Sequence, residues 1–184
     1  SEHNCWIAMV RGNHDDPSYF TEQKIHHERF RTISDYSVVN ACGHQILCVG
    51  GAISIDRSFR LAEMRRHPEK QYYWQNEPTY YDATMLNEIT SSNIHIDTVI
   101  THTAPSFCEL QTKNGLMSWA ANDPNLLQDC DNEREQMDML FTHLKQDKHP
   151  VTHWFYGHFH QSWHGEIFGV FFKMLDIMEL HELR

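Results

Sequence analysis

Apolar residues fall into short runs divided by turn-forming stretches, and two spacings alternate along the chain. Residues 5–10 form a compact apolar run that stops at Arg11-Gly12, which is the length of a buried strand. Residues 12–18 are rich in Gly, Asn, Asp and Pro and read as a loop. Two β-prone runs, 37–39 and 45–49, flank Cys42-Gly43-His44 and predict a hairpin, and Gly50-Gly51 breaks the second run. Residues 59–66 read as a short helix ended by Pro68. Met85, Leu86 and Ile89 space a helix over 84–89 with one buried face. A β-branched run, 96–101, is the next strand. Residues 103–129 hold no long periodic segment and are punctuated by Asn114-Gly115 and Asn122-Asp123-Pro124. They predict a long irregular insert, a feature that in compact domains is often functional. Met137, Leu140, Phe141 and Leu144 recur at i, i+3, i+4 and i+7 and set a helix over 132–146 with a core-facing stripe. Residues 151–156 form a strand stopped at Gly157, and 167–175 read as one further strand with Gly169 inside it. Strands interleaved with helices, and no internal repeat, predict an α/β layered fold.

Composition narrows the class. A chain of 184 residues reads as one domain, residues 1–184, able to bury roughly 70% of its unfolded surface. The formal net charge of −10 disfavours long nucleic acid as a partner, because that binding rests on Lys and Arg neutralising phosphates. No apolar run approaches the ~20 residues of a membrane span, and no signal-peptide pattern opens the chain. Five scattered cysteines without a Cys-x-x-Cys pair predict a reduced, cytoplasmic protein. Histidine is unusually frequent: its 15 copies equal Lys and Arg together, which points to imidazole chemistry.

Three strand ends carry the candidate chemistry: Gly12-Asn13-His14-Asp15, Thr101-His102 and Gly157-His158-Phe159-His160. In α/β sheets the loops beyond strand ends converge on one crevice, so ligand residue types there are suggestive. Each is ambiguous alone. The tetrapeptide also suits an Asx-type turn. His102 also suits a packed or surface histidine, and His-x-His can arise by accident in so histidine-rich a chain.

Taken in order, the three junctions resemble the calcineurin-like metallophosphoesterases, specifically small prokaryotic or phage-type members. Arg11, the run Val49-Gly50-Gly51-Ala52 on to Asp56-Arg57, Trp74-x-x-Glu77-x-Pro78 and His102-Thr103-Ala104-Pro105 extend the resemblance over nearly the whole length. The resemblance implies a sandwich of two mixed β-sheets flanked by helices. It implies hydrolysis of a phosphate ester at a dinuclear centre by metal-bound hydroxide. Two divalent ions are implied, Mn first, with Fe, Zn or Ni as alternatives. Asn13, His102 and His158 would ligate the second metal and His160 the first. His14 would not be a ligand; it would protonate the leaving oxygen or stabilise its charge. Asp15 is open between capping the loop and orienting His14. Gly12 and Gly157 are expected at close approaches or unusual backbone shapes. The implied substrate is a phosphorylated small molecule or a nucleotide.

The family pattern opens earlier, with Asp-x-His and then Gly-Asp-x-x-Asp or Glu, and neither motif is present. The expectation is a chain lacking its N-terminal part, and with it the first strands and the carboxylate that bridges the ions. A naturally degenerate chain is the competing explanation. Two other functions stay open: a non-catalytic, protein-binding scaffold of the same fold, and a phosphodiesterase or nuclease. The remaining candidates have plainer readings. Tyr72, Tyr73, Trp74, Tyr80 and Tyr81 read as loop-edge packing before base stacking, and Arg65, Arg66 and His67 as a solvated helix end before an anion site. Phe107, Leu116 and Trp119 are either the apolar wall of a substrate pocket or a mini-core. His26, His27, His143, His149, His153, His164 and His181 match no motif position.

Overall fold

The structure, a computed structural model, describes residues 5–183 apart from 26 and 114, so His26 and Asn114 lie outside the described residues. Strands β1 (Ile7–Val10) and β2 (Phe30–Ile33) pair in parallel as a small separate sheet. The six others are β3 (Ser37–Ala41), β4 (His44–Val49), β5 (Thr98–Thr101), β6 (His153–Tyr156), β7 (Trp163–Ile167) and β8 (Val170–Met174). They form a mixed sheet in the order β3-β4-β5-β6-β8-β7, in which β4, β5, β6 and β8 run parallel and the two edge strands antiparallel. Helices α1 (Ser18–Thr21), α2 (Arg57–Arg66), α3 (Ala83–Ser91), α4 (Leu116–Ala120) and α5 (Leu126–Gln146) complete the mixed α/β fold, two sheets flanked by helices. Among the described residues no helix is long and apolar enough to cross a membrane.

Strand alternation decides what each face of the large sheet holds. Leu47, Val99, Trp154, Tyr156, Phe172 and Met174 project to one face and pack with Leu86 of α3 and Met137, Leu140 and Leu144 of α5. The other face explains much of the histidine excess. There His153 stacks on Phe155, His181 lies against Phe155 and Phe171, and His44 Nδ1 sits 2.7 Å from Asp97 Oδ1. His149 ties elements together, with Nδ1 accepting from the Ile96 amide and Nε2 beside the Thr90 hydroxyl. All five cysteines are free thiols.

The structure corrects several sequence expectations. Residues 167–175 are not one strand: Phe168 and Gly169, both at positive φ, turn the chain between β7 and β8. That is the geometry a two-residue hairpin demands. The periodicity reading passed over β2 and β7 because each is short, half-exposed and carries charged or glycine positions. Helix α5 begins six residues earlier than the expected start at 132, at Leu126. Its second turn buries Glu133 and Arg134, and two buried charges break the hydrophobic pattern that marks a helix. The insert 103–129 is not mainly irregular; it contains a 3-10 helix (Ser106–Gln111) and α4.

Candidate metal centre

The parallel strands β4, β5 and β6 end on the same side of the large sheet, which places Gly50, His102 and Gly157 in a row. The Gly157 amide donates to the His102 carbonyl at 3.2 Å. The loop after β1 comes from the other sheet and is fastened there by Arg11. This side chain is 3% exposed. Its Nη1 donates to the Glu77 carbonyl at 2.7 Å, and its Nη2 pairs with Asp35 at 2.9 Å. Asp35 also accepts the Gly50 amide, and the Arg11 carbonyl accepts the Gly51 amide at 2.8 Å. Gly51 is required at this crossing: its φ is +87°, and a Cβ would come within 2.4 Å of the Glu77 carbonyl oxygen.

This fastening delivers Asn13 to the end of β5. Its Oδ1 lies 3.0 Å from His102 Nε2, and the His102 and His158 rings sit 5.0 Å apart, edge to face. The His158 ring is turned into place by a strained backbone: φ is +70°, and the Phe159 amide closes on the Gly157 carbonyl at 2.8 Å. Gly12 allows the close approach, since a Cβ there would sit 3.3 Å from the His102 ring. Gly157 does not behave as expected: a Cβ there meets nothing within 4 Å. Asp15 caps the loop, accepting the Gly12 amide at 2.7 Å.

Two groups unflagged as functional in the sequence hold Asn13 in orientation. Asn13 Nδ2 donates to Ser54 Oγ at 2.9 Å; Ser54 in turn donates to Glu77 through its hydroxyl at 2.9 Å and its amide at 2.6 Å. With its NH2 group so occupied, the Asn13 amide oxygen is the atom that faces His102. Glu77 stands in a motif position with no local signal of its role, and Ser54 is unmarked. Burial pushes the Glu77 carboxyl up to about 7, and does the same to Glu133.

A stability prediction follows from these two acids. A carboxyl whose pKa is higher in the fold than in the unfolded chain holds its proton more tightly when folded. The stability it contributes is complete below about 4.5 and is lost as pH rises through about 7, by up to about 1.4 kcal/mol per pH unit per group. Buried histidines act in the opposite sense, since His102 and His158 have lowered pKa values and add stability as pH rises toward 6.5. The test is therefore a difference: the melting temperature of Glu77→Gln with Glu133→Gln, relative to wild type, should rise from pH 5 to pH 8. A difference that stays constant or falls over this range sinks the argument.

The imidazoles are neutral at pH 7. Desolvation pushes His102 down to about 4 and His158 well below its ordinary value. Their lone pairs are therefore available to a cation. His14 is exposed at the rim; desolvation and then the Arg60 guanidinium lower its pKa. Arg60 Nη2 lies 2.9 Å from His14 Nδ1 and also contacts Nε2, while Arg60 Nε pairs with Asp56 at 2.8 Å. Arginine only donates, so the ring nitrogen it bonds is unprotonated. Arg60 is a further site residue that sequence reasoning missed. His160, also at positive φ, is exposed and lines the same cavity as Asn13, His14 and His158.

The family model of calcineurin-like phosphoesterases matches residues 3–162. The chain belongs to the calcineurin-like phosphoesterase family. No curated protein matches it. Membership makes it a phosphoester hydrolase in the broad sense, of a family that works with divalent metal ions. Among the described residues no group of three or more His, Cys, Asp or Glu stands ready to hold a metal. The convergent cluster is two neutral imidazoles and one amide oxygen, which suits one borderline divalent ion. His160 lines the cavity together with Asn13 and His158.

The other candidates resolve toward packing. Arg66 pairs with Glu63 at an exposed helix end. Tyr36 and Tyr80 pack ring to ring, and Tyr81 bonds His143. Phe107 joins the main core beside Phe141 and Phe172, whereas Leu116 and Trp119 do both things expected of them. They build a small second core with Ile53 and Leu126, and they line the cavity.

Proposed function

We propose that this chain hydrolyses phosphate esters of small molecules or nucleotides. Asn13, His102 and His158 would hold one divalent cation, Mn by preference, and His160 would contribute toward a second in a dinuclear centre. The observation that carries the reading is the convergence of an oriented amide oxygen and two neutral imidazoles at the ends of β5 and β6, beside a cavity. When bound, such ions supply positive charge to the phosphoryl oxygens and lower the pKa of water toward ~7. The chain's own residues do the rest. Ser54 and Glu77 orient Asn13. Neutral His14, touched by Arg60 at both ring nitrogens, would stabilise the charge that develops on the leaving oxygen through its N–H, which turns from Arg60 to do so. The net charge of −10 favours compact anions over long nucleic acids.

Calorimetric titration with Mn2+, alongside hydrolysis of 4-nitrophenyl phosphate and its bis-ester, tests the reading. One ion bound per chain or more, with turnover, and loss of both in His102→Ala, is the expected result. Failure to bind Mn2+ in the wild type overturns it and favours the scaffold function. Faster turnover of the bis-ester makes the chain a phosphodiesterase.

A further inference from the structure

Beside the candidate centre lies a cavity of about 460 Å3, lined in part by His14, His158 and His160. Its volume is that of a small-ligand site. Part of its wall is apolar: Ile53, Ile55, Leu116 and Trp119 line it, and the same residues belong to the small second core. The wall is anchored. Arg57, at the start of α2, grips Asp123 with two nitrogens at 2.6 and 3.1 Å and Asp129 at 2.6 Å. This clamp ties the turn before α5 to the chain following Ile55.

Charge decides what the chamber accepts. Its two cationic side chains are committed elsewhere: Lys113 is paired with Glu109, and Arg134 donates to the Ala104 carbonyl and lies over the Phe159 ring. Four carboxylate residues, Asp56, Glu109, Asp131 and Glu133, also line it. A second phosphate group would meet acids and an indole, with no uncommitted Lys or Arg among the described lining residues. A flat uncharged ring would meet Trp119 and aliphatic side chains, and such stacking is favourable.

Building on the phosphoester reading, we propose that this chamber is the leaving-group subsite and that it selects phosphate esters of flat, uncharged ring systems over sugar phosphates and polyphosphates. Trp119 is its specificity-determining residue.

Binding of three probes by calorimetry in Mn2+ buffer tests this: 1-naphthylphosphonate, methylphosphonate and 1-naphthol. The naphthylphosphonate should bind at least about tenfold tighter than methylphosphonate, in line with stacking on one aromatic side chain. Trp119→Ala should remove most of that advantage and leave methylphosphonate binding unchanged. Ile55→Trp, which fills the chamber without emptying the core, should do the same and guards against a misfolded Trp119 variant. Equal binding of the two phosphonates in the wild type overturns the subsite and leaves the phosphoester reading standing. An advantage that persists in both variants overturns its assignment to this chamber. Binding of 1-naphthol without methylphosphonate overturns the phosphoester reading on which the proposal rests, and binding of no probe overturns both.

Discussion

Arg11→Ala is expected to destabilise the chain by about 3–5 kcal/mol, the range for removing one partner from a buried ion pair. The guanidinium is almost fully enclosed and spends its donors on the Asp35 carboxylate and the Glu77 carbonyl, with Asn76, Gly50 and Pro78 carbonyls at longer range. Truncation leaves Asp35 largely buried without its counter-charge and the carbonyls without a donor. Arg11→Lys should recover little, because one ammonium cannot span a fork-shaped set of acceptors. The effect reaches the site as well. The Arg11 backbone is bonded to Gly51, so loosening it frees the loop that aims Asn13 at His102. Urea unfolding reads the outcome directly, and a loss below about 1 kcal/mol would show that the clamp is not holding the two sheets in register.

His14→Ala is the second. It should lower kcat by about 10²–10⁴-fold while KM moves little, because a group that meets the leaving oxygen acts mostly in the transition state. Stability should be nearly unchanged, since the ring is exposed. The size should depend on the leaving group. An ester with a poor leaving group, such as an alkyl phosphate, needs the N–H most, and an aryl phosphate of a strong acid needs it least. The measurement is kcat for both esters with wild type and variant. Equal losses on both would remove His14 from leaving-group stabilisation and make it a binding residue. Arg60 makes the expectation sharper: by holding the ring neutral it selects hydrogen bonding over delivery of a proton from an imidazolium.

Local order was the more legible part of this chain. The strands at β1, β4, β5 and β6, the β3–β4 hairpin and the core stripe of α5 follow from periodicities of 2 and 3.6 residues, which are properties of neighbouring positions. Errors came where a neighbouring position misleads. Glu133 and Arg134 are charged and buried, which hides the first turns of α5 from the hydrophobic pattern, and a positive-φ turn at Phe168 and Gly169 lies inside an apolar run. At the site, Asn13, His14, His102, His158 and His160 were visible because they sit in short motifs, each on a strand end. Arg60 and Ser54 had no such mark, and Glu77 carried no hint of its partner.

By itself, then, the sequence determined the strands β1, β4, β5 and β6, the β3–β4 hairpin and the core stripe of α5, the residue types available at three strand ends, and the family. Only the tertiary structure decided that Asn13 from the small sheet meets His102 89 positions later, that Ser54 sits between Asn13 and Glu77, and that Arg60 rests on His14. It also decided that the insert after His102 walls a chamber. The reason is physical. A hydrophobic side chain announces burial wherever it stands, but a polar one is satisfied equally by water or by a distant partner, and nothing in its neighbours says which until the chain has closed on itself.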